Sequence, residues 1–346
     1  MLSAAEVEKR QLTLTTHRIQ TLPIIVLMPH SRCNCRCVMC DIWKANRHGQ
    51  ELARQDLAHH IAAMQQWQVR WVVLSGGEAL MHTNLWTLCD LLKNLHVKIS
   101  LLSTGLLLKR YARDIVQWCD EVIVSLDGSR DVHNAIRGVP RAYERLAEGV
   151  SALKALAPHF RVTARCVIQR ANYVNLPKII DAAHALGLEQ ISFLAVDVST
   201  AAFNRPTPWG DERVAEVALS PDEAGKFVDI VEETIRAYAD DFASGFIAEY
   251  PPKLRRLPRY FQALNGQGDF PATVCNAPWV STVIEADGTV RPCFFHRALG
   301  NIHQQSLAEI LNSETAMAFR ANLDVQRDPI CRKCVCTLSL PPRKAL

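Results

Sequence analysis

Residues 24–40 read IIVLMPHSRCNCRCVMC, and residues 71–78 read WVVLSGGE. Each is a short β-rich run that ends in polar or metal-ligating groups, and a stretch with helical spacing follows each. Working outward, the same rhythm repeats. β-rich runs fall at 24–28, 71–74, 97–102, 121–126, 161–168 and 190–196, with helical stretches near 55–67, 84–95, 107–118, 141–156 and 175–186. In one of these, Leu85, Leu88, Cys89, Leu92 and Leu95 share a face. Six strand–helix repeats predict a parallel sheet, because each crossover returns the chain to the same end of the sheet. Periodicity leaves open whether the sheet stays flat or curls into a partial barrel. Ligands of α/β sheets bind beyond the carboxyl ends of the strands. The unusual groups stand there: Pro29-His30-Ser31-Arg32-Cys33, Ser75-Gly76-Gly77-Glu78, Ser103-Thr104-Gly105 and Asp127-Gly128.

Composition narrows the class. The chain has 346 residues, 49% hydrophobic and 21% charged, which excludes disorder and collagen-like repeats. A net charge of +4 is too near balance to imply a nucleic-acid partner. No apolar run approaches the ~18 residues of a membrane span, and the first twenty residues lack a secretory apolar region. A cytoplasmic protein with no membrane partner is expected. Twelve cysteines are the anomaly, and nine of them form two clusters, one near each end. Clustered thiols in a reducing compartment hold metal. The isolated Cys89, Cys119 and Cys166 lie in apolar stretches and read as buried small hydrophobes.

The organisation expected is an N-terminal extension (1–21), an α/β core (22–197), a connecting segment (198–272) and a small cysteine-bearing domain (273–346). Residues 200–212 read as a long loop. Ser220, Pro221 and Glu223 then open a helix as N-cap, first position and capping-box acid, running to about residue 240. Residues 242–272 are mixed. A hairpin is predicted from 280–285 and 289–291 around Ala286-Asp287-Gly288.

Cys33, Cys37 and Cys40 form C-x3-C-x2-C directly after the first strand. Three thiolates bind one face of a cubane cluster and leave the fourth iron free to bind something else. Structural zinc wants four ligands, usually as two pairs, and Cys35 complicates the count. The motif after the first strand, with Ser75-Gly76-Gly77-Glu78 after the second, resembles the radical SAM enzymes over residues 22–197. The resemblance implies a partial (β/α)6 TIM-like barrel and a [4Fe–4S] cluster on Cys33, Cys37 and Cys40. The open iron would chelate S-adenosylmethionine, which one electron splits into methionine and a 5′-deoxyadenosyl radical. It further implies cosubstrate contacts from Gly76 and Gly77, whose backbone can approach closely, from Glu78 as countercharge, and from Ser125, Asp127 and Ser103. Met39 stands where the family often has an aromatic against adenine, and a thioether packs on a ring as well. Leu194 and Val196 occupy the adenine-lining position on the sixth strand. Asp127-Gly128, His133-Asn134 and Arg137-Gly138 look like the fourth-strand segment of peptide- and small-molecule-modifying members, although His30 and His133 alone read as packing histidines. An electron donor such as flavodoxin or ferredoxin is implied, and no catalytic base is singled out.

Cys275, Cys293, Cys331, Cys334 and Cys336 form the second group. A hairpin pair plus C-x-x-C closes four thiolates round either zinc or an Fe–S centre. The arrangement resembles the auxiliary-cluster (twitch or SPASM-like) domain of radical SAM enzymes. The two-cluster SPASM form needs about seven cysteines, so one auxiliary [4Fe–4S] cluster on Cys275, Cys293, Cys331 and Cys334 is expected. Cys336 is an alternative to Cys334, and a zinc ribbon accepts the same spacing. A second cluster suits net two-electron oxidation of a substrate. The competing functions are radical rearrangement or C–C or C–S bond formation on a peptide precursor, and a non-catalytic Fe–S or zinc scaffold. Few residues precede the first strand, which favours a small molecule over a peptide. Trp209, Tyr250 and Tyr260 are candidate apolar surface for the substrate cavity.

Overall fold

The computed structural model describes residues 2–346. Six parallel strands form in order: β1 (Ile24–Leu27), β2 (Trp71–Leu74), β3 (Lys98–Ser103), β4 (Glu121–Ser125), β5 (Arg161–Ile168) and β6 (Ile191–Ala195). Their burial alternates. On β2, Val72 and Leu74 are fully buried against the outer helices, while Trp71 and Val73 face the half-open interior. The helix Leu85–Lys93 buries Leu85, Leu88, Cys89 and Leu92 as its spacing predicts. Each such leucine contributes about 1.5–3 kcal/mol relative to exposure. The architecture is the expected partial α/β barrel, and it does not close.

The C-terminal hairpin joins this sheet instead of forming its own. β7 (Ser281–Ile284) lies parallel to β1 with Ile24 opposite Ser281, and β8 (Thr289–Arg291) and β9 (Gly300–Asn301) follow antiparallel. One nine-stranded sheet results, in the order β6-β5-β4-β3-β2-β1-β7-β8-β9. The hairpin turn is as predicted, with Gly288 at φ +81°, a conformation that favours glycine.

Other differences have local causes. The stretch near 55–67 breaks into Arg54–Ala58 and Ile61–Gln66. At the break, His60 Nδ1 accepts from the Leu307 amide at 3.2 Å, which seats the C-terminal domain. The capped helix runs Pro221–Ala237 and a short helix, Ala239–Ser244, follows. The expected loop of 200–212 gives way to the helix Asp211–Val217, and the mixed 242–272 stretch holds Pro251–Leu254 and Arg256–Leu264. Residues 1–21 carry the helix Ala4–Thr16, whose Arg10 reaches the Lys344 carbonyl at 2.6 Å. Cys89, Cys119 and Cys166 are buried in the core. Among the described residues, no helix is long and apolar enough to cross a membrane.

Candidate functional site

The loop bearing Cys33, Cys35, Cys37 and Cys40 is clamped from three sides. Asn46 brackets Cys33, accepting from its amide at 3.0 Å and donating to its carbonyl at 2.9 Å. The Arg36 and Val38 amides donate to the Arg137 and Ile136 carbonyls (2.9 and 3.1 Å) at the end of the helix Arg130–Arg137. The Glu78 amide donates to the Arg32 carbonyl at 2.8 Å. Glycine permits these approaches. A Cβ on Gly77 would stand 2.0 Å from the Arg32 carbonyl oxygen, and one on Gly138 2.6 Å from that of Arg36. The Gly76-Gly77 pair is therefore required first by the cysteine loop itself.

Charge is arranged around Cys37. Arg137 Nη1 lies 3.7 Å from Cys37 Sγ, and its Nη2 pairs with Asp127, whose carboxylate is fully buried. Asp127 Oδ1 also accepts from the Val167 amide at 3.0 Å. Hydrogen bonding from Cys35, and then the Arg137 charge, pull the Cys37 thiol below its ordinary value. Hydrogen bonding with Cys33 and Cys37, and then burial, push the Cys35 thiol up. Burial pushes Cys40 up to about 12.

The expected cosubstrate contacts fall into two groups. Glu78 is sealed off from solvent: its carboxylate accepts from the Thr104 amide and hydroxyl (2.7 Å each), the Ser103 hydroxyl (3.1 Å) and the Leu80 amide (3.2 Å). Burial raises its pKa. Glu78, Ser103 and Asp127 thus have protein partners in this structure, Glu78 and Ser103 bonding to each other and Asp127 pairing with Arg137 and the Val167 amide. The Thr104 hydroxyl oxygen also lies 2.9 Å from the Asn34 side-chain amide, inside the cysteine loop. Gly77 and Ser31 line a cavity of about 530 Å³ with the segment 201–206 and hairpin residues Glu285 and Arg291. Ser125 is half-buried, Met39 is buried, and Leu194 borders a separate cleft beside Arg165. His30 and His133 are buried packing groups, with His30 paired to Glu51 at 3.0 Å.

Sequence reasoning missed the clasp over this loop. Arg205, buried and paired with Asp197 at 2.8 Å, stacks on Trp209 at 3.8 Å and donates to the Met39 carbonyl at 3.3 Å. Trp209 Nε1 donates to Asp41 Oδ2 at 2.9 Å. Trp209 therefore holds the cysteine loop and does not line the cavity. Tyr260 is buried and its hydroxyl donates to the Val196 carbonyl at 3.2 Å, while Tyr250 is exposed.

The five C-terminal cysteines converge. Burial pushes Cys293 up to about 11, with Cys275 and Cys336 adding to it, and raises Cys331 and Cys334 as well. None is in a disulfide. His296, three residues after Cys293, places Nε2 3.3 Å from Cys331 Sγ, a neighbour the cysteine count alone did not flag. Cys275, Cys293, Cys331, Cys334 and Cys336 border one cavity of about 220 Å³ whose other wall is the barrel interior, including Ser75, Leu102 and Ile123.

Residues 27–195 match the profile of the Radical SAM superfamily, and residues 275–335 that of SPASM, an iron–sulfur cluster-binding domain. The chain belongs to the radical SAM superfamily. A probable GTP 3′,8-cyclase of Methanococcus maripaludis is 28% identical over 179 residues, 48% of this chain and 57% of that protein. The subtilosin biosynthesis protein AlbA of Bacillus subtilis is 23% identical over 82% of this chain and 58% of its own. The chain thus spans a little over half the length of these curated relatives. SuiB of Streptococcus suis, crystallised with its precursor peptide SuiA, superposes with a TM-score of 0.63 at 14% identity, covering 92% of this chain and 70% of that one. At that identity the likeness shows the fold.

A SAM-binding [4Fe–4S] cluster, an auxiliary Fe–S cluster and S-adenosylmethionine are the cofactors of this radical SAM chain. The donor sets fit. Three thiols share one rigid loop with a guanidinium beside Cys37. In the second group five thiols border one cavity, and burial with neighbouring thiols holds Cys293, Cys331 and Cys334 above their ordinary values. Gathered, buried thiols are released as thiolates when a metal supplies positive charge.

Proposed function

We propose that this chain oxidises a peptide substrate by two electrons, with Cys33, Cys37 and Cys40 holding the SAM-binding cluster. Cys275, Cys293, Cys331 and Cys334, or Cys336 in its place, hold the auxiliary one. The observation that carries this reading is the shared cavity, where the C-terminal thiols border the barrel interior directly. When bound, the first cluster would supply the electron for reductive cleavage of S-adenosylmethionine, and the second would accept the electron that the substrate loses, along with a proton to solvent, after hydrogen-atom abstraction.

The chain's own residues do the rest. Three loop thiolates leave one cluster position without a protein ligand. Arg137 offsets the thiolate charge on Cys37, and Asp127 holds Arg137 in place. Glu78, Ser103 and Thr104 fix the Gly76-Gly77 turn against that loop, so the Gly77 backbone faces the large cavity. Ser125 offers a hydroxyl at the carboxyl end of β4, and Met39, inside the cysteine loop, offers its thioether for the adenine. A peptide is preferred to a small molecule because AlbA is a bacteriocin biosynthesis protein and SuiB is crystallised with a precursor peptide.

Iron content tests the ligand sets. The anaerobically reconstituted protein should hold about eight irons, as two cubanes require. Cys275→Ala should retain about half of the iron and still cleave S-adenosylmethionine, but form no oxidised product. Unchanged iron in Cys275→Ala, or zinc at the C-terminal thiols, sinks the auxiliary assignment. A product of unchanged mass sinks the oxidation.

A further inference from the structure

A cleft of about 130 Å³ opens between the inner face of β5 and β6, the helices Pro251–Leu254 and Arg256–Leu264, and residues 332–337. Its wall carries Arg165, Lys253, Arg256 and Arg332 against a single carboxylate, Glu249.

The carboxylate does not neutralise this set. Glu249 is 4% exposed, and its Oε2 accepts from the Phe193 amide at 2.9 Å on the outer edge of β6, next to the bridge between Ile191 and Ile247. Its Oε1 reaches Lys253 Nζ only at 3.7 Å. Burial raises the Glu249 pKa, which weakens it further as a counterion. Arg165 meets the Ser192 hydroxyl at 3.4 Å, and Arg332 meets the almost fully exposed Asp269 at 3.9 Å. Arg256 has no charged partner among the described residues. Cations gathered in a concave wall focus a positive potential, and guanidinium groups satisfy their planar donors best on a carboxylate or phosphate.

The position of the cleft gives it a use. Cys334 and Cys336 line it, and Arg165 borders both this cleft and the barrel cavity. An anion seated here would lie beside the auxiliary thiols, with the rest of its molecule leading into the barrel.

We propose that this cleft binds an oxyanion of the substrate, carboxylate or phosphate, and anchors the substrate with its reacting part in the barrel. That the anion belongs to a substrate rests on the function proposed above; the oxyanion site itself has an independent test.

The test is calorimetric titration of the reconstituted full-length protein, at low ionic strength, with glutarate, inorganic phosphate and triglutamate in turn. Saturable binding of at least one probe is expected, weakened about tenfold or more by Arg256→Gln, since charge-assisted hydrogen bonds are the strong ones. Lys253→Gln should act in the same direction. Arg259→Gln, an exposed cation on the same helix outside the cleft, should leave binding unchanged. Tighter binding of glutarate or triglutamate names a carboxylate, and tighter binding of phosphate names a phosphate. The proposal is overturned if no probe saturates, if Arg256→Gln binds like the parent, or if Arg259→Gln loses as much. Cleavage of S-adenosylmethionine without any of these anions is measured separately, so failure of the cleft and failure of the radical reading remain distinct.

Discussion

Arg137→Ala is expected to lose about 3–5 kcal/mol of stability, the range for breaking a buried ion pair from one side. Asp127 has no solvent exposure, and without the guanidinium its carboxylate keeps the Val167 amide and the Cys166 thiol but no cation. Burial works against the charge on Arg137, yet Asp127 and the Cys37 and Cys35 sulfurs outweigh it and push its pKa up. The same substitution removes the donor 3.7 Å from Cys37 Sγ. Chemical denaturation should therefore show the stability loss, and anaerobic reconstitution should show reduced iron at the N-terminal loop. Arg137→Lys should recover part of the stability but less of the geometry, because an ammonium lacks the fork that reaches both partners. A stability loss below about 1 kcal/mol for Arg137→Ala, the range of an exposed pair, would remove the ion pair from the account.

Gly77→Ala should be nearly as damaging, for a steric reason. The added Cβ would stand 2.0 Å from the Arg32 carbonyl oxygen and 3.1 Å from that of Ser31, both in backbone leading to Cys33. No flexible side chain can give way there. Either the Gly76-Gly77 turn or the cysteine loop must move, at about 3 kcal/mol or more, the upper range for overpacking. Iron loading of the first cluster should fall with it. Gly225→Ala is the control: that glycine lies inside the helix Pro221–Ala237 with open space around its Cβ position. It should gain about 0.5–1 kcal/mol, the helix-propensity difference between the two residues. A Gly77→Ala protein that melts and binds iron like the parent would show that the turn does not press on the loop.

What the sequence made legible is what is local along the chain. The strand–helix rhythm, the Ser220 capping box, the Asp287-Gly288 turn and the C-x3-C-x2-C loop each declare themselves within a few residues. What it concealed depends on partners far away in sequence. β7 gives no sign that β1 is its neighbour, since a short apolar strand fits many edges. Arg137 and Cys37 are 100 residues apart, and Trp209 and Asp41 are 168 apart. Nor does the sequence show that Glu78 and Asp127 have protein partners, because Thr104 stands at the end of the next strand and Arg137 on a helix ten residues beyond Asp127. Arg165 and Arg256 lie 91 residues apart with no motif joining them, and the fold places both on one wall with Cys334.

The most direct measurement supplies the anaerobically reconstituted protein with a strong reductant and S-adenosylmethionine and quantifies 5′-deoxyadenosine. The cluster loop described above predicts its formation by the parent chain and its absence in Cys37→Ala. An iron-loaded, reduced parent that releases none, or a Cys37→Ala protein that releases as much, would contradict it.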